Sequence, residues 1–204
     1  LVISISKNNT LKKNCNIEYI DCLNDKIQIK ECGKDLVVYN KVLFACHPVE
    51  ILPILKSINP AVQSALKKFS REKNIAYTHC DSMQMPKEKK CWSSWNYLYR
   101  KGEEASGVAV TYWMNKLQHI NPDIPLFVTL NPVSPIDKEK IYDMHEFYHP
   151  VFDQAAIDGQ LAINEKQGNC HVWFCGAYLR YGFHEDGVWS ALEVSKRIKK
   201  SDIS

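Results

Sequence analysis

The chain has 204 residues, and its 26 Lys and Arg against 23 Asp and Glu give a formal net charge of +3. This length suffices for one large domain or for parts of two. The charge is nearly balanced and no basic stripe is interleaved with aromatic residues, which argues against nucleic acid as a partner. The sequence contains no run of about 18 apolar residues, so no transmembrane segment is predicted.

The chain begins with residues that favour β-strands. Short β-branched runs occur at residues 1–6 and within 17–30, and Asn24-Asp25 is typical of the turn of a hairpin or small meander. Residue 1 is Leu rather than Met, although the sequence already reads as a strand there. We therefore expect the chain to be a piece of a longer protein.

A longer apolar run covers Leu36–Ala45 and is interrupted only by Asn40-Lys41. It ends before Pro48, because proline cannot continue strand pairing. Since Val42–Ala45 is apolar throughout, we expect this part of the run to be a strand buried on both faces.

Two helices and then a sheet are predicted for the middle of the chain. Val49–Ile58 is a weakly amphipathic helix interrupted by Pro53, and Asn59-Pro60 supplies an N-cap and a first-turn proline for a helix through Phe69. Segments rich in aromatic and β-branched residues then predict one antiparallel-type sheet of five strands: Ala76–Cys80, Trp92–Tyr99, Gly107–Trp113, Leu126–Leu130 and Ile141–Tyr148.

A further helix is predicted after the sheet. Asp153 is its expected N-cap, and Gln167-Gly168 ends it. The residues expected to face inward are Ala156, Ile157, Leu161 and Ala162.

The last predicted strand runs into a glycine-bracketed turn. Val172–Cys175 is apolar and ends at Gly176, where the backbone must bend or approach another group closely. Gly182 and Gly187 bracket a short polar turn, and Val188–Ile198 has apolar residues at helical spacing. The N–H groups and dipole at such a helix start suit anionic or acceptor-rich ligands, including phosphates and flavin carbonyl oxygens. The alternative is an ordinary strand, turn and helix whose glycines serve only the turn.

The order of these elements predicts a mixed α/β fold with two domains. The ends of the chain, residues 1–48 and 169–204, are expected to form one domain, and residues 49–168 the other. No internal repeat or low-complexity linker interrupts this organisation.

The cysteines favour a reducing, cytoplasmic location. Eight of them are scattered without a Cys-x-x-Cys pair, so neither a zinc site nor a disulfide scaffold is indicated. Several lie in apolar runs, where a reduced thiol behaves as a small hydrophobic group. His145 and His149 have the spacing of helical metal ligands, but their segment reads as a strand, in which residues four apart are separated by about 13 Å. We expect no bound metal.

Seven blocks appear in an order that carries a family resemblance: Ala45-Cys46-His47, Thr78–Asp81 with Met85-Pro86, Trp92–Tyr97, Thr111–Gln118, Phe127–Pro132, His149–Asp153 and Gly182–Gly187. Over nearly its whole length the chain resembles bacterial FAD-dependent, amine-oxidase-like flavoproteins. This NAD/FAD-binding oxidoreductase family is related to flavin domains found beside or fused to cyclopropane fatty acid synthases.

The resemblance implies that the chain is the C-terminal half of such a flavoprotein. Residues 1–48 and 169–204 would then belong to an incomplete FAD-binding, Rossmann-like domain, and residues 49–168 would form a substrate domain with an antiparallel or mixed β-sheet and helices. The Gly-x-Gly-x-x-Gly motif that lets a helix N-terminus approach the FAD pyrophosphate does not occur in the 204 residues.

The resemblance also implies which residues hold the cofactor. A late strand would bring its backbone to the ribityl and pyrophosphate part of FAD through Phe174, Cys175, Gly176 and Ala177. The following segment would line the isoalloxazine and stabilise negative charge near its N1 and O2 through backbone N–H groups of Gly182, Phe183, His184, Glu185, Asp186, Gly187 and Val188. Ile17 resembles the strand residue that meets the adenine through its backbone.

Catalytic residues are left unassigned. His184 and Glu185 suit proton transfer, but we favour a role in which their side chains orient the turn while only the backbone touches the flavin. The resemblance also implies a lysine near flavin N5, and Lys116, which lies within a matched block, is the candidate for it. An aromatic-rich block consists of Trp92, Trp95, Tyr97, Tyr112 and Trp113. Most of these side chains are expected in the core. One or two of them, together with Asn96 or Asn115, are expected to line an apolar substrate pocket.

The leading hypothesis is an FAD-dependent oxidoreductase of the amine-oxidase superfamily, which removes a hydride from a C–N or C–C bond of a small-molecule or lipid substrate. The alternative is a non-catalytic remnant, or one half of a split flavoprotein whose partner chain or segment supplies the N-terminal FAD-binding unit. A protein-binding scaffold is a third possibility, without a positive feature in the sequence.

Overall fold

The computed structural model of the chain describes residues 9–57, 59–99 and 109–201. The strand expected at residues 1–6, and the first two residues of the one expected at Gly107–Trp113, lie outside these ranges. The predicted mixture of helices and sheets is confirmed. The described residues up to Arg71 and from Pro150 onward form one compact unit, called unit 1, and Glu72–His149 form unit 2.

The elements have the following bounds. The strands are β1 (Ile17–Leu23), β2 (Lys26–Glu31), β3 (Leu36–Tyr39), β4 (Val42–Phe44), β5 (Arg71–His79), β6 (Trp95–Leu98), β7 (Ala109–Trp113), β8 (Phe127–Leu130), β9 (Ile141–Pro150) and β10 (Val172–Phe174). The helices are α1 (Pro48–Ile51), α2 (Pro60–Leu66), α3 (Met114–Gln118), α4 (Gln154–Lys166) and α5 (His184–Ser201).

Unit 1 contains a three-stranded antiparallel sheet in the order β1-β2-β3. The predicted hairpin turn is confirmed, since Asn24 and Asp25 join β1 to β2 with φ of 51° and 56°. Two consecutive residues with positive φ form the turn that matches the twist of a two-residue hairpin, and Asn and Asp tolerate this conformation.

Unit 1 also contains two parallel strands that are distant in the chain, β4 and β10. Phe44 and Phe174 are partners in the register, and their buried rings stack with centroids 5.7 Å apart. The expectation that Val42–Ala45 is buried on both faces is wrong, because Leu43 is 45% exposed and Ala45 is exposed as well. Only one face of β4 is covered by the described chain.

A side chain closes the edge of β10 that faces away from β4. The Gln167 amide donates to the Phe174 carbonyl oxygen at 2.7 Å and accepts from the Phe174 N–H at 2.9 Å. The Gly168 N–H donates to the Val172 carbonyl oxygen at 2.9 Å. Residues that follow α4 therefore take the place of a neighbouring strand.

Two helices of unit 1, α2 and α4, begin as predicted, whereas α5 begins at His184 instead of Val188, so that Gly187 lies inside the helix and not at the end of a turn. Asn59 caps α2 by accepting from the Ala61 N–H at 2.8 Å, and Asp153 caps α4 by accepting from the Ala156 N–H at 2.8 Å. α2 ends at Leu66, one turn before the predicted end.

The buried face of α4 differs from the predicted one. Ala156 faces inward as expected, but Ile157 and Leu161 are 45% and 63% exposed. Ile163 is fully buried instead. A side chain at Gly159 would meet the Phe69 ring at 2.9 Å, so the close approach of this helix to Phe69 requires a glycine at this position.

The sheet predicted for the middle of the chain is confirmed in unit 2, where five strands lie in the order β6-β7-β8-β5-β9. Its buried face carries Phe127, whose ring packs against His79 and Trp92 with centroids 5.6 Å away in each case. The loops between β5 and β6 cover this face through Trp92, which also packs edge-on against Trp113.

The boundaries of the two units are at Arg71 and Pro150. The predicted domain limits, in contrast, are at residues 48 and 168. The helices α1, α2 and α4 were therefore predicted to belong with the middle of the chain, but they lie in unit 1. Which parts bind flavin and which bind substrate stays a prediction.

Candidate functional site

The end of β10 is tied to the first turn of α5. The Cys175 N–H continues the ladder to the Phe44 carbonyl oxygen at 2.8 Å. The chain then turns, and the Gly176 N–H donates to Ser190 Oγ at 2.9 Å while this hydroxyl donates to the Gly187 carbonyl oxygen at 2.9 Å. A buried serine therefore holds the strand end and the helix start together.

Two glycines are required by the backbone of this turn. Gly176 has φ of 149°, and a Cβ there would lie 2.7 Å from the Tyr178 ring. Gly182 has φ of 91°, and a Cβ there would lie 2.7 Å from the Phe152 ring. Both positions exclude a side chain for reasons internal to the chain.

Gly187 is different, because neither φ nor space within the chain demands a glycine. A Cβ at this position would make only an ordinary contact, at 3.8 Å from the Ala177 nitrogen. Glycine inside a helix is less favourable than Ala by about 1 kcal/mol. The missing side chain therefore leaves open space beside the Ala177 nitrogen without any benefit to the folded chain.

Asp186 fixes the start of α5. Its buried carboxylate accepts from the Phe183 N–H at 3.0 Å and lies 3.6 Å from the Arg180 guanidinium. The side chains of His184 and Glu185 are exposed. The turn is thus oriented by Asp186 and not, as the sequence analysis favoured, by its two neighbours.

Several backbone N–H groups of this turn have no acceptor within the described residues. They belong to Ala177, three residues after the end of β10, and to His184 and Glu185, in the first turn of α5. The positive end of the helix dipole lies at the same turn. The arrangement suits a ligand that offers anionic or carbonyl oxygen acceptors.

The residues that follow the two parallel strands form a cluster of neutral groups, called the strand-end cluster: Cys46, His47, Cys175 and Tyr178. The His47 and Tyr178 rings lie 5.7 Å apart, edge to face. His47 Nε2 and the Tyr178 hydroxyl are buried and have no hydrogen-bond partner within the described chain. Two unpaired polar atoms at the carboxyl ends of parallel strands are expected where a ligand binds.

Burial sets the protonation of this cluster. It raises the pKa of the Tyr178 phenol far above its ordinary value, with smaller contributions from the nearby Cys175 and Cys46 thiols. It also raises the pKa of both thiols and lowers the pKa of His47, which the Arg71 guanidinium lowers further. All four groups are therefore held in their uncharged forms, and the thiols are not activated as nucleophiles.

The predicted cofactor residues fall into two places. Phe174–Ala177 and Gly182–Val188 lie in one strand, turn and helix, joined by Ser190. Ile17 lies at the start of β1 in the antiparallel sheet, where it pairs with Glu31. Ser190 was not among the predicted site residues, because a serine three residues after a glycine on a helix carries no signal in the sequence.

The aromatic block of unit 2 is divided. Trp92 is partly buried and lines a pocket, whereas Trp95 and Tyr97 lie exposed on β6. Asn96 and Asn115 are buried but bond to backbone atoms of the loops around them.

The remaining sequence candidates lie apart from one another on the surface of unit 2. Lys116 is exposed on α3, and His145 and His149 flank Phe147 on β9. Among the described residues, no group of three or more His, Cys, Asp or Glu is arranged to hold a metal ion. No described helix is long and apolar enough to cross a membrane.

Comparisons of sequence return no match, either among protein-family models or among curated proteins. Solved structures do match. The chain is similar to a fatty acid isomerase from P. acnes that produces CLA, with 12% identity and a TM-score of 0.63, over 95% of this chain and 50% of that one.

Two further structures share the fold. A putative protoporphyrinogen oxidase from Exiguobacterium sp. 255-15 matches 98% of this chain and 49% of its own, with 10% identity and a TM-score of 0.70. Cyclohexylamine oxidase from Brevibacterium oxydans IH-35A matches 90% of this chain and 48% of its own, with 10% identity and a TM-score of 0.57. The chain spans about half the length of each of these three proteins.

Proposed function

We propose that this chain carries part of the FAD site of an amine-oxidase-like oxidoreductase. The observation that carries the proposal is the turn between β10 and α5, where the N–H groups of Ala177, His184 and Glu185 lack acceptors within the described residues. This turn follows the carboxyl end of a parallel strand, the place where α/β folds bind nucleotide ligands. The likeness in fold to two oxidases and an isomerase supports the same assignment.

The residues of the turn fit a flavin. Gly187 leaves space beside the Ala177 nitrogen, and the start of α5 would stabilise negative charge on an acceptor-rich ring. We assign Phe174–Ala177 to the ribityl and pyrophosphate part and Gly182–Val188 to the isoalloxazine. When bound, FAD supplies the acceptor for a hydride from a C–N or C–C bond.

The chain's own residues would bind and orient the cofactor. Ser190 and Asp186 hold the donor groups of the turn in fixed positions, so little reorganisation is needed when charge develops. We assign no catalytic acid or base. The substrate is proposed to be a small molecule or lipid, and the eight free thiols support a reducing, cytoplasmic setting.

A second segment or chain is proposed to complete the site. β4 has β10 as its single neighbour in the sheet among the described strands, and the Leu43 side chain on its open face is 45% exposed. Val188 and Leu192 on α5 are also exposed, at 54% and 57%. A βαβ unit with Gly-x-Gly-x-x-Gly would cover such apolar surface and hold the FAD pyrophosphate. Ile17 is proposed to meet the adenine.

The alternative is a remnant that cannot hold FAD. The absence of Gly-x-Gly-x-x-Gly from the 204 residues favours it. Native mass spectrometry of the protein from its own source decides between the two, since it reports the flavin and the mass of the chains that carry it. Bound FAD together with a second unit supports the proposal, and flavin-free protein would support the remnant.

Gly187→Ala tests whether the turn between β10 and α5 binds the flavin, by comparing the protein with and without bound FAD. The new methyl group has room in the folded chain and favours the helix, so the apoprotein should gain up to about 1 kcal/mol of stability. FAD affinity should fall on the order of tenfold, about 1.4 kcal/mol, because the methyl group occupies the space proposed for the flavin. Urea unfolding and flavin fluorescence measure the two effects.

Ser195→Ala is the matched control, because Ser195 is exposed on the same helix and lies outside the turn. It should leave FAD affinity unchanged. If Gly187→Ala also leaves the affinity unchanged, no flavin occupies the space beside Gly187 and the assignment of Gly182–Val188 to the isoalloxazine is wrong.

A further inference from the structure

Unit 2 has a pocket of its own, formed by the loops on the buried face of its sheet. Its volume is about 650 Å³, which lies in the range of small-molecule sites. The residues that give it its chemical character are Met83, Met85, Lys87, Trp92, Leu98 and Val133. None of them belongs to the turn between β10 and α5, so this pocket is separate from the proposed flavin site.

Hydrogen bonds fix the walls of the pocket from behind. The Trp92 indole N–H donates to the Pro86 carbonyl oxygen at 2.8 Å. The buried Asn96 amide accepts from the Ser93 N–H at 2.9 Å and lies 3.5 Å from the Met85 sulfur. Both walls are therefore preformed, which reduces the entropy lost when a ligand binds.

A third wall is anchored by Gln84, whose buried amide donates to the carbonyl oxygen of Ser134 at 3.2 Å. Gln84 itself is fully buried and does not line the pocket. This hydrogen bond fixes Ser134 at the edge of the cavity, while the Gln84 amide oxygen is buried without a hydrogen-bond partner in the described chain.

The interior of the pocket offers apolar surface. The indole N–H of Trp92 is already used, and the edge of its ring system packs against Trp113 and Phe127. Most of what remains for a ligand is carbon surface, with the thioether of Met83 beside it, although Ser82, Tyr99 and Ser134 also line the pocket. Such a lining binds an apolar body, and thioethers and indoles suit a flat ring.

The rim of the pocket is cationic. Lys87 lines it, is exposed, and has no acidic partner within the described chain. The Lys89 ammonium lies 5.7 Å from the centroid of the Trp92 ring, but neither Lys89 nor Glu88 in the same loop lines the pocket, so Lys87 is the charged residue of the rim.

The nearest buried carboxylate does not cancel this charge. Asp81 accepts from the N–H groups of Met83 and Asp137 and lies 3.4 Å from the Lys140 ammonium. Its charge is therefore already matched by its own cation and donors, and the free charge at the pocket rim is positive.

From this combination we propose that the pocket of unit 2 binds an amphipathic anion, a ligand with a flat apolar body in the pocket and one carboxylate or sulfonate group at Lys87. The proposal does not depend on flavin binding.

Isothermal titration of the full chain with 2-naphthoate and with neutral 2-naphthamide tests the proposal. The two probes share a ring and differ in charge. Naphthoate should bind more tightly, and Lys87→Gln should lower its affinity about three- to fivefold, the effect of one exposed charge pair, while naphthamide binding stays the same. Raising the salt concentration should reduce the preference for naphthoate.

Two further variants locate the site. Lys90 is three residues from Lys87 and does not line the pocket. Lys90→Gln removes the same charge and should change the affinity for neither naphthoate nor naphthamide. Met83 is 76% exposed, so Met83→Gln should fold normally and weaken both probes equally by removing apolar wall.

The proposal is overturned if neither probe binds at millimolar concentration, or if the two probes bind equally and Lys87→Gln has no effect. Equal losses in Lys87→Gln and Lys90→Gln would also overturn it, because they would show attraction to overall charge instead of binding in the pocket. Unfolding curves of each variant separate these outcomes from a folding defect.

Discussion

Ser190 shows how a single residue can join two parts of a site. Its hydroxyl accepts from the Gly176 N–H and donates to the Gly187 carbonyl oxygen, so the strand end and the helix start cannot separate without leaving buried groups unpaired. The helical spacing of apolar residues gives no reason to single it out as a functional residue. Its role exists only because residues 176 and 187 meet in space.

His79 is part of a chain of buried hydrogen bonds across the sheet of unit 2. Its Nε2 lies 2.7 Å from Thr129 Oγ1, which lies 2.8 Å from Thr111 Oγ1. The Asp81 N–H donates to Nδ1 at 3.1 Å, so the ring proton is on Nε2 and the imidazole is neutral. Burial lowers the pKa of His79, and the nearby Asp81 carboxylate offsets this only in part.

This histidine predicts acid sensitivity. The unfolded chain takes up a proton near pH 6.5, which the folded chain resists, so the free energy of unfolding should decrease as the pH falls below about 6.5. The contribution of His79 is at most about 1.4 kcal/mol per pH unit, and it ends once the pH is below the lowered pKa. His47 contributes in the same direction, since burial also lowers its pKa.

His79→Gln separates the two histidines in urea unfolding at pH 7.5 and 5.5. The variant should be less stable than the parent at pH 7.5 but lose less stability on acidification. His145→Gln, at an exposed position of the same unit, should keep the pH dependence of the parent. If His79→Gln keeps the full pH dependence, the imidazole of His79 is not the group that resists protonation.

At the scale of elements, β10 is stabilised by unlike neighbours on its two edges. On one edge it pairs with β4 in a parallel ladder. On the other edge the Gln167 amide satisfies both backbone groups of Phe174. This side chain ends the sheet at β10 and leaves the far edge of β4 as the place where a further strand can add.

Gln167→Ala should therefore destabilise unit 1. The substitution leaves the N–H and carbonyl oxygen of Phe174 without partners beside a buried strand, so the expected loss is about 1–3 kcal/mol in the free energy of unfolding. Gln118→Ala, at the exposed end of α3, should change it by less than about 0.5 kcal/mol. Equal effects in the two variants would show that water replaces the Gln167 amide without cost.

At the scale of the whole molecule, unit 2 is an insertion into unit 1. The chain leaves unit 1 at Arg71 and returns at Pro150. The two connections are adjacent, since the Val151 N–H donates to the Ser70 carbonyl oxygen at 3.0 Å. All the residues assigned to the flavin lie in unit 1, and the pocket lies in unit 2.

Deleting residues 72–149 and joining Arg71 to Pro150 through two glycines should leave unit 1 folded, because the ends to be joined are already in contact. Circular dichroism should show a cooperative unfolding transition. Deletion at the sequence-derived limits, residues 49–168, removes α1, α2 and α4 and with them the buried Ile51, Leu66 and Ile163. That shorter chain should not fold. A folded product of the second deletion alone would contradict the division into these units.

The sequence predicted the elements better than their exposed and buried faces. The caps of α2 and α4, the first hairpin and the five-stranded sheet follow from local rules, in which a residue type satisfies its own neighbours. The faces of α4 and β4 were predicted wrongly. Ile157, Leu161 and Leu43 are apolar, and periodicity alone cannot tell whether the described chain provides a layer to cover them.

The sequence by itself determined the mixed α/β fold and the glycines of the turn before α5 at 176 and 182, since hydrophobic periodicity, caps and turn residues act over a few neighbouring positions. Tertiary structure alone decided that Ser190 joins the strand end to the helix, that Gln167 closes the edge of β10, and that the loops after β5 enclose a cationic-rimmed pocket. These features depend on contacts between residues far apart in the chain, and no local pattern encodes which distant groups will meet.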